Sequence, residues 1–317
     1  MIWTEALVEV SESLAFYLKK ARAPRAYREH LRLAALAERP LKVAIDRWFR
    51  MLAAAVREEL PAERPAGTAS EIAEKIVDWK AFERVSRPVL EPALLEGLVA
   101  VGRRVYERHH RRREKRTFDL LKQTFDPISQ RATAYARGRG STLITLITEE
   151  SKDAIREIVG GGLRAGDSWQ TMARQVRTHI GLNRPQIGSY NRTIDDWISQ
   201  GLDPDEISVR AEGLFNRLLR ERAELIVRTE GNRAARAGIA EGYGQMGLEF
   251  VEWITDPEAC DICVAIAAAD GGHGPGVYTI EESEAVGDTH PNCECTWVAA
   301  EPVAAPAAGG TEGGAGE

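Results

Sequence analysis

All four cysteines of this 317-residue chain fall between Cys260 and Cys295, and nothing else in the sequence constrains the fold as tightly. They are spaced as C-D-I-C at Cys260 and Cys263, then as H-P-N-C-E-C at His290, Cys293 and Cys295. A C-x-x-C turn offers two thiolates to one ion, and a second close set of donors completes the tetrahedron that structural zinc requires. Which four of the five donors would bind stays open. Neighbouring ligands in C-x-C crowd one another, so His290 can replace Cys293 or Cys295. Two disulfides are the competing reading, and free or catalytic thiols a third. Disulfides persist in oxidising compartments. Residues 1–20 are amphipathic and lack the apolar core of a secretory signal. Spacing and context therefore favour one structural zinc ion, whose binding energy becomes folding energy for a small module.

The net charge of −6 conceals an asymmetry. Residues 248–317 hold fourteen Asp and Glu and no Lys or Arg, so the other 247 residues carry +8 (−6 minus −14). Two surfaces with different partners follow from that polarity. The acidic metal module is a poor reader of nucleic-acid backbone, since that affinity comes from basic contacts. No apolar run reaches the roughly 18 residues of a membrane span.

Before Leu248 almost everything reads as helix. Glu5 to Lys20 places Ala6, Leu7, Val10, Leu14, Ala15 and Leu18 at helical spacing. Val43 to Leu60 does the same with Trp48, Phe49, Leu52 and Ala53. Residues 61–70 read as a loop, and residues 72–113 as helix interrupted near Pro88 and Pro92. A further helix is expected to end at Gly138-Arg139-Gly140. Thr148 would cap another that loosens at Gly160 to Gly162, and Ser168 a third. One more lies within residues 183–200, closed by Gly201. Asp203-Pro204-Asp205-Glu206 reads as a helix start with a capping box. That helix runs to about Met246, with breaks expected at Gly213, Gly231 and Gly238. Phe250 to Thr255 is the first convincing strand, and Thr296 to Ala299 its partner across the metal. Residues 301–317 (Pro, Ala, Gly and Glu with little to bury) are expected to be disordered. The fold class expected is mainly α: helical N-terminal (1–117) and middle (118–222) regions, then a small C-terminal α+β module (223–300) stapled by zinc.

Upstream of the cysteines lies A-E-L-I-V-R-T-E-G-N-R-A-A-R-A-G, residues 223–238. On a helix Arg228 and Asn232 share one row, and Thr229 and Arg233 another. Leu225, Ile226, Ala234 and Ala235 would face the bundle. A solvated face with ordinary ion pairs is the simplest account. Joined to the aromatic strand ending near Trp253, to D-x-x-x-C-x-x-C and to H-P-N-C-x-C, however, the motif resembles the phage Mu F-like head morphogenesis family. The similarity is closest over 223–297 and extends more weakly back to Phe118, through Phe125-Asp126 and the A-T-A-Y-A-R-G segment at 132–138.

That resemblance implies a minor head protein of a tailed bacteriophage or prophage, made in the host cytoplasm and located in the phage head near the portal. Such proteins join the procapsid, associate with the portal, and influence packaging or delivery of the genome. The implied partners are the portal ring, scaffold or major capsid protein, and double-stranded DNA. The family's metal ligands map to Cys260, Cys263, His290, Cys293 and Cys295, and its polar helix motif to Arg228, Thr229, Glu230 and Asn232. Arg228 and Glu230 are expected to brace the helix against the metal-stapled hairpin through charge-assisted hydrogen bonds. Members often carry Arg between the last two cysteines, where Glu294 stands here.

Between residues 103 and 116 the chain reads R-R-V-Y-E-R-H-H-R-R-R-E-K-R. Arg103, Arg104, Arg108, Arg111, Arg112, Arg113, Lys115 and Arg116 would wrap a helix with positive charge. Contact with DNA phosphates or an acidic portal surface is one reading, and a solvated helix end the other. His109 and His110 are expected to belong to the solvated run. Enzymatic readings find little purchase. No H-x-E precedes the cysteines as in cytidine deaminases, and neither G-x-x-x-x-G-K-[ST] nor G-x-S-x-G occurs. A transferase built on Arg228 and Glu230 is the enzymatic alternative, and a DNA-protecting protein packaged with the genome the third class. The expectation is a structural protein without catalysis.

Overall fold

Helix starts in this chain are written in short polar side chains. At Thr68 the hydroxyl accepts from the Glu71 amide while the Glu71 carboxylate accepts from the Thr68 amide at 2.7 Å. Asn183 and Gln186 close a second reciprocal pair, with Pro185 in the first turn, and Ser168 caps a third helix start. Each such cap stabilises by about 1 kcal/mol.

The computed structural model describes the backbone of residues 2–114 and 124–301, and side chains from residue 25 on except 112–123. In chain order it holds α1 (Ile2–Glu59), α2 (Ala69–Lys75), α3 (Trp79–Glu114), α4 (Gln130–Ala165), α5 (Trp169–His179), α6 (Arg184–Ser199) and α7 (Pro204–Gly244). A small α+β module follows: β1 (Phe250–Ile254), α8 (Asp261–Ala268), β2 (Val277–Thr279), α9 (Glu282–Gly287) and β3 (Thr296–Ala300). The three strands form an antiparallel sheet in the order β2-β1-β3. Trp253 pairs with Trp297 and Ile254 with Thr296, so the expected strand partnership is present. The mainly helical class with a small C-terminal α+β module is observed.

The described residues fall into two compact units. One comprises residues 38–96 and 133–230. Its core is built on Trp48, whose ring meets Phe49 and Phe82 edge-on at 5.4 and 5.3 Å, and on buried aliphatics from Leu41 to Val227. The other comprises residues up to 37, 97–132 and from 231 on. There Leu98, Val101, Ala234, Ala235, Ile239, Val251, Trp253 and Trp297 are buried. Both units are thus assembled from separated stretches, whereas the expected boundaries near 117 and 222 follow chain order. The 301–317 tail, from residue 302 on, lies outside the described residues.

Several expected interruptions are absent. Helix α3 runs through Pro88 and Pro92, and α4 runs through Thr148 and all the glycines from 138 to 162. Thr148 is therefore a buried interior residue, not a cap. A mid-helix glycine costs about 1 kcal/mol, and one buried Leu or Ile returns about 1.5–3 kcal/mol. Leu143, Ile144, Ile147, Ile155, Ile158 and Val159 on α4 are all buried, so packing wins. Helix α7 likewise continues through Gly213, Gly231 and Gly238. A β-carbon at Gly238 would lie 2.5 Å from the Leu98 carbonyl oxygen, so glycine there permits close approach of α3. At the start of α7, Asp203 accepts from the Asp205 amide at 2.9 Å. Glu206 pairs with Arg210 at 2.5 Å instead of turning back, so the cap is one-sided.

Candidate metal centre

Chain reversal between β1 and β3 brings the early and late donors together. Cys260 occupies the N-cap position of α8 (φ −74°, ψ 168°), which leaves its thiol exposed and puts Cys263 in the first turn, buried. The Cys263 carbonyl accepts from Trp253 Nε1 at 3.2 Å, tying α8 to β1. The late donors sit on the loop after α9. Asn292 takes φ +59°, the one non-glycine in the left-handed region among the described residues, and turns the chain so that Cys293 points inward. Asn tolerates that region better than most residues.

His290 Nε2 lies 3.2 Å from Cys260 Sγ and 3.3 Å from Cys263 Sγ, and Cys263 Sγ lies 3.5 Å from Cys293 Sγ. Tetrahedral coordination by thiolate and imidazole sets donor–donor edges of about 3.5–3.8 Å, from bonds of about 2.0–2.3 Å. The donors form two triads, Cys260/Cys263/His290 and Cys263/Cys293/Cys295, sharing Cys263. His290 Nδ1 lies 2.8 Å from the Pro291 carbonyl and can donate to it, leaving Nε2 as the free lone pair facing the thiols. Cys295 turns partly away, with Sγ 3.2 Å from Asp256 Oδ2 and accepting from the Asp256 amide at 3.4 Å. A Cys3His-type cluster results, and it can hold a metal ion.

Its electrostatics favour adding a cation. A hydrogen bond from Cys295, followed by the charge of Arg236, holds the Cys293 thiol far down, at about 4. Burial and then the neighbouring Cys293 push Cys263 up to about 12. The bond it donates to Cys293, and burial, push Cys295 up as well. A positive ion beside these thiols would favour their thiolate forms.

The loop that carries the late donors is gripped from α7. Arg236, buried to 2% exposure, donates from Nε to the Gly287 carbonyl at 3.0 Å. Its Nη1 donates to the carbonyls of Cys293 and Cys295 at 3.0 and 3.2 Å. Its guanidinium lies over Trp253, 5.8 Å from the ring centre. Arg233 pairs with Asp288 at 2.7 Å and donates to the Thr289 carbonyl at 2.7 Å. These two arginines, not Arg228 and Glu230, are the brace. Arg228 is exposed, as is Leu225, which was expected to face inward. Extending the Arg228–Asn232 row by one turn would have found Arg236.

Glu230 is buried and takes a two-pronged ion pair from Arg139 on α4, both arms 2.6 Å. Thr229 is also buried. Removing one partner of a buried pair leaves a stranded charge and costs about 3–5 kcal/mol, whereas removing both is nearly neutral. Urea titrations of Arg139→Met, Glu230→Gln and the double variant should show large single losses and a double loss smaller than their sum.

Asn232 meets His30 of α1, with Oδ1 3.1 Å from His30 Nε2, a residue that no sequence motif marks. Burial, then the charge of Arg236, pull the His30 imidazole down to about 3, so it is neutral at working pH. An unfolded histidine titrates near 6.5. Below that pH the unfolded chain takes a proton the folded one refuses, so stability is intact above about pH 6.5 and falls as pH drops toward 3. The loss is about 2 kcal/mol by pH 5. Denaturation at pH 7.5 and 5.0 should show a pH difference smaller by about that amount in His30→Gln.

The basic run divides. Arg103, Arg104 and Arg111 are exposed, and Arg108 pairs with Glu29. Val105 and Tyr106 are buried, His110 stacks on Tyr106, and His109 meets the Tyr243 ring edge-on at 5.2 Å. One side of the run is therefore core, against the expectation of a wholly solvated segment. The side chains of Arg112 and Arg113, and all of Lys115 and Arg116, lie outside the described residues. Glu294, where the resemblance would place Arg, accepts from the Tyr27 hydroxyl at 2.5 Å. That bond pushes the Tyr27 phenol up to about 12. Farther back, the Asp126 amide donates to Gln245 Oε1 at 2.7 Å and Gln245 Nε2 donates to the Asp126 carbonyl at 2.9 Å, anchoring that segment to the residues just after α7.

No helix among the described residues is long and apolar enough to cross a membrane. Compared with protein-family models, with curated proteins and with solved structures, the chain shows no match.

Proposed function

We propose that this chain is a structural minor head protein of a tailed bacteriophage or prophage. It associates with the portal and acts in procapsid assembly and in packaging or delivery of the genome, and its Cys/His cluster holds one structural zinc ion. The observation that carries the reading is the join between the two halves of the sequence motif. Arg233 and Arg236, from R-T-E-G-N-R-A-A-R, grip the backbone of G-D-T-H-P-N-C-E-C at four carbonyls and one carboxylate. The motif is then one mechanical unit, with buried charge spent on holding a loop. Zinc suits the donor set, since thiolates and imidazole in a tetrahedron select it over harder ions. Five donors for four positions also suit a closed, structural centre better than a catalytic one, which keeps a position open.

The partner surface has a physical candidate in Arg103, Arg104 and Arg111, exposed on α3. They suit an acidic portal face or DNA phosphates, and binding to either would weaken steeply with salt. The deciding experiment is isolation of heads from cells producing this chain, with metal analysis of the purified protein. Co-purification with the portal ring and one zinc per chain is the expected result. A chain that never enters head fractions overturns the assembly role, and one that turns over a substrate through Glu230 overturns the non-catalytic reading.

A further inference from the structure

A cleft of about 400 Å³ lies within the unit that holds the metal cluster. That volume falls in the range of about 300–1,000 Å³ typical of binding sites. One wall is formed by four consecutive residues of β3: Thr296, Trp297, Val298 and Ala299. Side chains alternate faces along a strand, so a wall made of consecutive residues is the strand's edge and not one of its faces. β3 pairs with β1 on one side, and in the sheet order β2-β1-β3 its other side has no strand partner among the described residues. In an antiparallel ladder alternate residues aim their N–H and C=O groups away from the partner, so this wall presents backbone donors and acceptors.

Two buried polar side chains lining the cleft each have one atom without a partner. Thr296 Oγ1 is buried and makes no hydrogen bond. His30, 1% exposed, faces Asn232 Oδ1 with Nε2, so its proton sits there and Nδ1 is a bare acceptor, which is likewise unpartnered. An unmet buried acceptor is destabilising, and an N–H brought into the cleft would relieve it. The remaining polar lining is weighted toward positive charge: Arg25 and Arg108 stand against Glu29, which is already paired with Arg108.

We propose that this cleft is a docking site for an extended, acidic peptide segment of a partner protein, which adds to the sheet as a fourth strand along β3. Strand addition uses a sheet edge for affinity and flanking side chains for choice of sequence. Here the edge supplies the backbone ladder, His30 and Thr296 take hydrogen bonds at its floor, and exposed Arg25 takes a carboxylate at its mouth. The site is independent of any role in heads, because it rests on this chain alone.

The test is a random dodecapeptide display library panned on the immobilised full-length chain. Enriched peptides are then synthesised and titrated by fluorescence anisotropy, with amide hydrogen exchange followed at residues 296–300. The expected result is enrichment of Asp, Glu and β-branched residues, slowed exchange along β3, and loss of binding when alternate peptide nitrogens are methylated. Arg25→Glu, a change at an exposed residue that leaves the fold in place, should weaken acidic peptides by about tenfold. The proposal is overturned if no sequence is enriched, or if binders leave residues 296–300 unprotected. It is equally overturned if binders are basic, or if they hold Arg25→Glu as tightly as the unaltered chain.

Discussion

Replacing Cys263 with serine is expected to abolish stoichiometric metal binding and to melt the C-terminal sheet, the largest single effect anticipated for this chain. Cys263 is the donor shared by both triads, it is buried, and its own carbonyl holds Trp253. Structural zinc contributes roughly 10–16 kcal/mol of apparent binding energy in small modules. Whole domains are stable by only about 5–15 kcal/mol. A module that loses its ion therefore has nothing of comparable size to fall back on. Cys295→Ser is the comparison, since it leaves Cys260, Cys263, His290 and Cys293 as a full set and should keep most of the metal. Elemental analysis of reduced protein and the emission of Trp253 and Trp297 report the two halves of the effect. A Cys263→Ser chain with one equivalent of metal and an unshifted melting temperature would refute the centre.

Arg236→Met should be nearly as damaging without touching a donor atom. It strands the carbonyls of Gly287, Cys293 and Cys295, which now share one buried guanidinium. The expected cost is about 3–5 kcal/mol, the range seen when one side of a buried charged network is removed. Metal affinity should fall about 10–100-fold, as it does when groups supporting the ligands are lost. Lysine should not rescue, because a point-like ammonium cannot reach three carbonyls from one place as a planar fork can. Urea titration followed at Trp253, with competitive chelation for the metal, checks both numbers. Loss of stability with unchanged metal affinity would show that the loop holds its shape by other means.

The centre was legible because its information is local. Cys260 with Cys263 and Cys293 with Cys295 are spaced by their chemistry, and β1 and β3 are short runs that join an aromatic to β-branched residues. The brace was less legible. Residues four apart on a helix drift by about 40° around the axis at 3.6 residues per turn. Over two such steps the exposed Arg228 becomes the buried Arg236, and spacing alone does not say where along the row the buried side begins. The unbroken helices were hidden for a related reason. Pro88, Pro92 and the glycines of α4 carry local penalties of known sign, and only the buried partners around them show that packing outweighs those penalties. His30 was invisible, since one histidine among the arginines of α1 announces nothing until Asn232 is found opposite it.

The arginine grip also has a consequence for biosynthesis. Arg236 precedes its first acceptor, Gly287, by 51 positions. At ribosomal speeds of about 5–20 residues per second, α7 leaves the exit tunnel roughly 3–10 s before that acceptor does. The guanidinium is thus waiting when the late thiols emerge, and it can gather their loop backbone before an ion closes the module.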